Sequence, residues 1–182
     1  MDLEEHSAVD ELNLWARALE REIRQYQAIF RKLLRLRLAG DRFAGDRLSE
    51  LHLQQAATGH FIVIAGQHVV KVFNSDRLPA QLQHLAPSND LAKQFTYLRH
   101  IGEHWEEYKP WNGAPSGGAR HDYEWDFADR TPWSISYSIN RGITIGGILS
   151  LEEVKGALIP LLQALVAEID ASSLALPIKA TA

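Results

Sequence analysis

The sequence predicts a mainly α chain: a four-helix up-down bundle with a small β-hairpin inserted before the last helix. Three observations carry that expectation. An apolar stripe at helical spacing runs from Asp10 to Leu38 without a proline or glycine. A second stretch closes on Phe61–Phe73, the most apolar run of the chain, which is read as a buried helix. A short segment, Trp133 to Ile139, alternates apolar residues with serine and stands just ahead of a final helical pattern.

The first helix is read over Asp10 to Leu38. Leu12, Trp15, Leu19, Ile23, Tyr26, Phe30 and Leu33 recur three or four apart, the stripe of an amphipathic helix, and Gly40 is its stop. At roughly 28 residues it is long for a globular helix, which implies an antiparallel bundle or a dimer seam. Trp15 and Tyr26 are read as core.

The second segment, Asp46 to Asn74, begins with helical spacing (Leu48, Leu51, Gln55, Ala56, Gly59). It ends in FIVIAGQHVVKVF, whose β-branched residues around Ala65-Gly66-Gln67 also allow a hairpin. β-Branching lowers helix propensity by only tenths of a kcal/mol, roughly, so a buried helix is the expectation. Asp76 to Pro87, with Pro79 and Pro87, is a connection. Ser88, Asn89 or Asp90 then caps a third helix, Asp90 to Tyr108, with Phe95, Leu98, Ile101 and Trp105 on its apolar side and Pro110 at its end. Residues 109–149 form a loop and hairpin insertion. The Gly/Pro/Ser-rich part carries Trp111, Tyr123, Trp125 and Phe127, which argues for a packed loop. Ile135, Tyr137 and Ile139 against Ser134, Ser136 and Ser138 give a strand. Asn140-Arg141-Gly142 gives the turn, and Ile143-Thr144-Ile145 the return. Ser150 and Glu153 are a capping box opening a last helix to Ala171, which Pro160 should bend or locally unbond. Residues 172–182 are read as a frayed tail.

With 182 residues, 46% hydrophobic and 23% charged, one domain over 1–182 is expected. Cysteine is absent, which excludes disulfides, thiolate metal sites and cysteine nucleophiles and suits a reducing compartment. The start, MDLEEHSAVDEL, is acidic rather than signal-like. Phe61–Phe73 is too short to span a bilayer. A cytoplasmic protein without membrane contact is the expectation. Net charge is −4, so any binding of nucleic acid must come from a local patch. Arg31, Lys32, Arg35, Arg37, Arg42 and Arg47 form a candidate patch, although solvating a helix end and complementing its dipole explains them more simply.

Chemistry concentrates in Leu98-Arg99-His100-Ile101-Gly102-Glu103-His104-Trp105-Glu106-Glu107-Tyr108. On a helix Arg99 pairs with Glu103 and His100 with His104, whereas Arg99 and His104 diverge by roughly 140°. One copy cannot clamp a substrate between those two; two facing copies can. A plain surface helix end, with an Arg99–Glu103 ion pair and solvent-facing histidines, accounts for the segment structurally. His100-x-x-Glu103-His104 also spells the inverted zinc-peptidase motif, but no further residue recommends itself as the third ligand. His52, His60 and His68 recur every eight residues and so turn roughly 80° from one another, which argues against a metal cluster. His60 could approach a cleft as a secondary residue. Tyr97 could stack on a base, although packing explains it more simply.

Arg99-His100-Ile101-Gly102-Glu103-His104 resembles the Arg–polar–x3–His signature of the HEPN superfamily, helical and mostly dimeric domains that include RNA-cleaving toxins and phage-defence effectors. The order of elements is similar too: a long first helix, an apolar second, the motif late in the third, then an irregular insertion before the last. The resemblance implies Arg99 and His104 as the catalytic pair, His100 at the variable polar position, a homodimer, an RNA substrate and no metal or cofactor. It also implies an antitoxin or nucleotidyltransferase-like partner. Glu103 and Tyr108 become supporting residues; some family toxins carry a tyrosine where this chain has Glu106. Arg31, Lys32, Arg35 and Tyr97 become candidate RNA contacts. The residue types suit the chemistry. Histidine moves protons near neutrality, and arginine holds phosphate oxygens with two parallel bonds. The alternative is a HEPN-like module that binds a partner without catalysis.

Overall fold

The computed structural model describes residues 3–39, 45–103, 110–111, 114–115, 135–138 and 142–174, with side chains for 3–39, 45–100 and 142–170. It is mainly helical, with a small antiparallel sheet ahead of the last helix.

Helix α1 spans Leu3–Ala39, starting about two turns before the expected Asp10. Glu4 and Glu5 in its first turn and Arg37 in its last match the helix dipole. Its buried stripe is Ala8, Val9, Leu12, Ala16, Leu19, Ile23, Tyr26, Ile29 and Leu33. Trp15 and Phe30, expected as members of that stripe, are only partly buried. Tyr26 is fully buried, and burial pushes its phenol above the usual range.

Helix α2 spans Gly45–Phe73 without a break, so the β-branched run is helical rather than a hairpin. Ile62, Val63, Ala65, Val69, Val70 and Val72 are buried along it, and that burial outweighs their propensity. Trp15 meets His68 and Arg37 meets His52, so α2 runs antiparallel to α1.

The stretch expected as a plain connection contains one helical turn, α3 (Ala80–Gln83). Pro79 stands before it, its carbonyl accepting from Leu82 N–H at 2.9 Å, while buried Leu78 and Leu82 anchor it. Helix α4 spans Asn89–Glu103. Of the three candidate caps, Ser88 holds the position: its Oγ accepts from Leu91 N–H at 3.2 Å. The expected continuation to Tyr108 lies outside the described residues.

Two short strands, β1 (Pro110–Trp111) and β2 (Ala114–Pro115), pair antiparallel where a loop was expected. The expected hairpin is β3 (Ile135–Ser138) with β4 (Gly142–Ile145), Ile135 opposite Ile145. A third strand, β5 (Leu149–Ser150), was not expected from the sequence. It returns through Gly146 (φ 59°) and Gly147 (φ 74°), closed by Ile148 N–H to Ile145 C=O at 3.1 Å. Positive φ at both central positions is what a two-glycine hairpin turn supplies.

Ser150 then caps α5 (Leu151–Leu174), its Oγ accepting from Glu153 N–H at 3.4 Å. The helix passes through Pro160, which is exposed. Proline's missing N–H leaves the carbonyl four residues back, on exposed Gly156, without its helical donor.

Helices α1, α2, α4 and α5 share one apolar core. Leu19, Val69, Leu91, Phe95, Val154, Leu158 and Leu161 surround an apolar void of about 20 Å³ at their meeting point. Helix α4 approaches α2 closely at Gly66. A Cβ on Gly66 would lie 2.1 Å from Phe95 Cε1 and 2.3 Å from Cζ. Phe95 is 2% exposed, so its ring is enclosed by the core and must shift to admit a methyl group.

Gly66→Ala is therefore expected to destabilise the fold by about 1–3 kcal/mol, the cost of overpacking. Gly156→Ala meets nothing within 4 Å and should stabilise it by roughly 0.5–1 kcal/mol. Urea unfolding of both variants reads the two signs; equal effects would contradict the notch at Gly66.

Candidate functional site

The α2–α4 contact determines where Arg99 goes. Phe95 and Arg99 are four apart on α4 and share a face, and Gln67 follows Gly66 on α2. The notch that admits the Phe95 ring thus brings Gln67 against the next turn of α4. There Arg99 Nη1 donates to Gln67 Oε1, and the guanidinium is partly buried.

His68, the next residue of α2, turns towards α1. Its imidazole stacks on the Trp15 indole, with centroids 3.9 Å apart and planes 10° from parallel. Burial holds it below the usual imidazole range, helped by the positive charges of Lys71 and Arg99 and opposed by Glu11. Glu11 is one turn before Trp15 on α1, and its Oε2 lies 3.5 Å from Arg77 Nη2. Three helices therefore contribute to one polar seam. It combines an oriented guanidinium with an imidazole that is neutral at pH 7, so it can hold an anion and accept a proton.

The expected site residues fall unevenly around this seam. Arg99 is in it. His100 follows on α4 and is exposed. Glu103 closes α4, but its side chain lies outside the described residues, as do His104 and Tyr108 entirely; so do the Arg99–Glu103 and Arg99–His104 pairings. Tyr97 is buried, 8% exposed. His60 lies edge-on to Phe61 with centroids 6.2 Å apart, and His52 Nε2 lies 3.5 Å from Arg37 Nη2. His52 and His68 both meet α1, at Arg37 and at Trp15, rather than turning away from one another as their spacing implies. Nothing in the sequence singles out His68, because its partners Trp15 and Arg99 lie on other helices.

Arg31, Lys32 and Arg35 are exposed near the end of α1. The groove there, about 510 Å³, is lined by Lys32, Arg35 and Leu36 from α1 and Arg47, Glu50, Leu51 and Gln54 from α2. By helical rise it lies about 25–30 Å from the Arg99 seam. Among the described residues no group of three or more His, Asp or Glu side chains is placed to hold a metal ion. None of the described helices is long and apolar enough to cross a membrane.

Compared with known proteins, the chain matches no family model, no curated protein and no solved structure.

The seam carries a pH signature. An unfolded histidine titrates near 6.5, roughly, and His68 titrates lower in the folded chain. Between those two values the unfolded chain binds more protons, so stability rises with pH across that window. The contribution is complete above about 6.5 and is lost as pH falls through the folded value. His68→Gln should flatten that part of the pH–stability curve, and Arg99→Gln should move the His68 proton resonances towards ordinary titration. A His68 titrating at or above about 6.5 would contradict this picture.

Proposed function

We propose that this chain is a HEPN-like endoribonuclease that needs no metal and works as a homodimer. Its four long helices form the up-down bundle of that superfamily, with Arg99 and His104 as the catalytic pair and His100 beside them. The observation that carries the proposal is the seating of Arg99. The first residue of the Arg–x4–His motif is fixed against α2 by Gln67 rather than loose on the surface. A cation whose position is set in advance can stabilise charge developing on phosphorus without reorganising as the reaction proceeds. The element order supports the same assignment: long helix, apolar helix, motif helix, insertion, last helix.

In this mechanism the ribose 2′-oxygen attacks the adjacent phosphorus and gives its proton to the His104 imidazole. Arg99 binds the non-bridging oxygens as their charge grows. The 5′-oxygen leaves and takes up a proton, so the products are a 2′,3′-cyclic phosphate and a 5′-hydroxyl. Because a spacing of five residues would set Arg99 and His104 too far apart around a helix to clamp one substrate, the cleft is completed by the second copy. Glu103 and Tyr108 support the pair. The biological setting that fits is a cytoplasmic toxin or phage-defence effector, held by an antitoxin or a nucleotidyltransferase-like partner.

One observation favours a second reading. A net charge of −4 gives RNA no general attraction, which suits a HEPN-like module that dimerises and binds a partner without catalysis.

Cleavage of labelled RNA in excess chelator separates the two. The wild type should release cyclic-phosphate ends, and Arg99→Ala and His104→Ala should each lower the rate by about 10²–10⁴-fold. Gln67→Ala should lower it less, since it only positions Arg99. No cleavage by a folded, dimeric wild type would favour the binding module, and cleavage that requires added metal would overturn the mechanism.

A further inference from the structure

We infer that the groove between the end of α1 and the start of α2 binds the phosphodiester backbone of single-stranded RNA without regard to sequence. The choice of RNA rests on the ribonuclease proposal; the anionic ligand class rests on the groove itself.

Lys32, Arg35 and Arg47 line it against a single carboxylate, Glu50. None of the three cations forms an ion pair among the described residues, and Glu50 is occupied by Gln54, whose Nε2 donates to it at 3.1 Å. The lining therefore keeps an excess of positive charge on a chain whose overall charge is −4.

Complementing helix dipoles does not explain that excess. Dipole effects fade within the last turn, and Lys32 stands seven residues before the end of α1 at Ala39. Arg47 is in the first turn of α2, at the positive end, where a cation is disfavoured. Charges retained against that preference, on two helices and facing one groove, fit a ligand that is itself negative. Arginine adds bidentate geometry suited to phosphate oxygens.

The remaining lining selects the part of the ligand that is held. Leu36 and Leu51 are aliphatic, and none of the described lining residues is aromatic, so among them bases have no ring to stack on. The grip falls on the backbone, with strong salt dependence and little sequence preference. Because the groove lies about 25–30 Å from Arg99, only RNA long enough to span that distance can use both. Exposed leucines at 34 and 38 also border the cations, which makes an anionic membrane the competing ligand.

The test is fluorescence anisotropy with RNA methylated at its 2′-oxygens, which resists cleavage, in mixed and homopolymer sequences over a salt series. The full-length wild type should bind both sequences alike. The triple variant Lys32→Gln/Arg35→Gln/Arg47→Gln should bind roughly a hundredfold more weakly at 0.1 M salt, with a salt slope lower by about 2. Glu50→Gln should bind severalfold more tightly, which simple damage to the surface would not produce. Melting temperatures close to wild type confirm that the variants fold. The inference is overturned if the triple variant matches the wild type in affinity and slope. It is also overturned if the wild type binds vesicles of anionic phospholipid and not RNA. Chelator-resistant cleavage with an unaffected triple variant sinks the groove alone; groove-dependent binding without cleavage sinks the ribonuclease alone.

Discussion

A phenylalanine ring pressed against bare backbone decides how α4 lies on α2. At Gly66 there is no room for a single methyl group unless the Phe95 ring, 2% exposed, is displaced. Two helices that close have little freedom left to slide or rotate, because interiors at this density transmit small displacements. The face of α4 that carries Phe95 carries Arg99 one turn on, and the residue after Gly66 is the glutamine that receives its guanidinium. Core packing and the position of the candidate cation are thus one geometric fact.

Much of the fold was legible because the sequence repeats its signals. The stripe along α1, the serine alternation of β3 and the Ser150 cap of α5 each state a period or an end explicitly. Other features were written more locally. Gly146-Gly147 between Ile145 and Ile148 carried the signal for a second hairpin turn, yet the strand it creates is only two residues long and offers no period. The turn of α3 is held by the burial of Leu78 and Leu82, a tertiary cause that composition does not display. For the ambiguous run 61–73 the deciding factor was also burial, which overrode the propensity of its valines and isoleucines.

The candidate site was half legible for the same reason. Arg99 announces itself in a motif on one helix. His68 does not, because its significance arises from Trp15 and Arg99, which reach it only once α1 and α4 are docked. A sequence lists the residues on a helix but gives no register between helices. What emerges is a polarised molecule. One end of the α1–α2 pair holds a mixed seam with a fixed guanidinium and a neutral imidazole, and the other holds a cationic groove. On a chain of net charge −4, the placement of a few cations matters more than their number.

The most direct test of this account is a double-mutant cycle on the pair that seats α4. Phe95→Leu removes part of the ring that a methyl group on residue 66 would strike. The urea-unfolding cost of Gly66→Ala should therefore shrink in the Phe95→Leu background, with a coupling of about 1 kcal/mol or more between the two positions. Strict additivity, within about 0.3–0.5 kcal/mol, would show that the two do not meet as described and would remove the basis for the seat of Arg99.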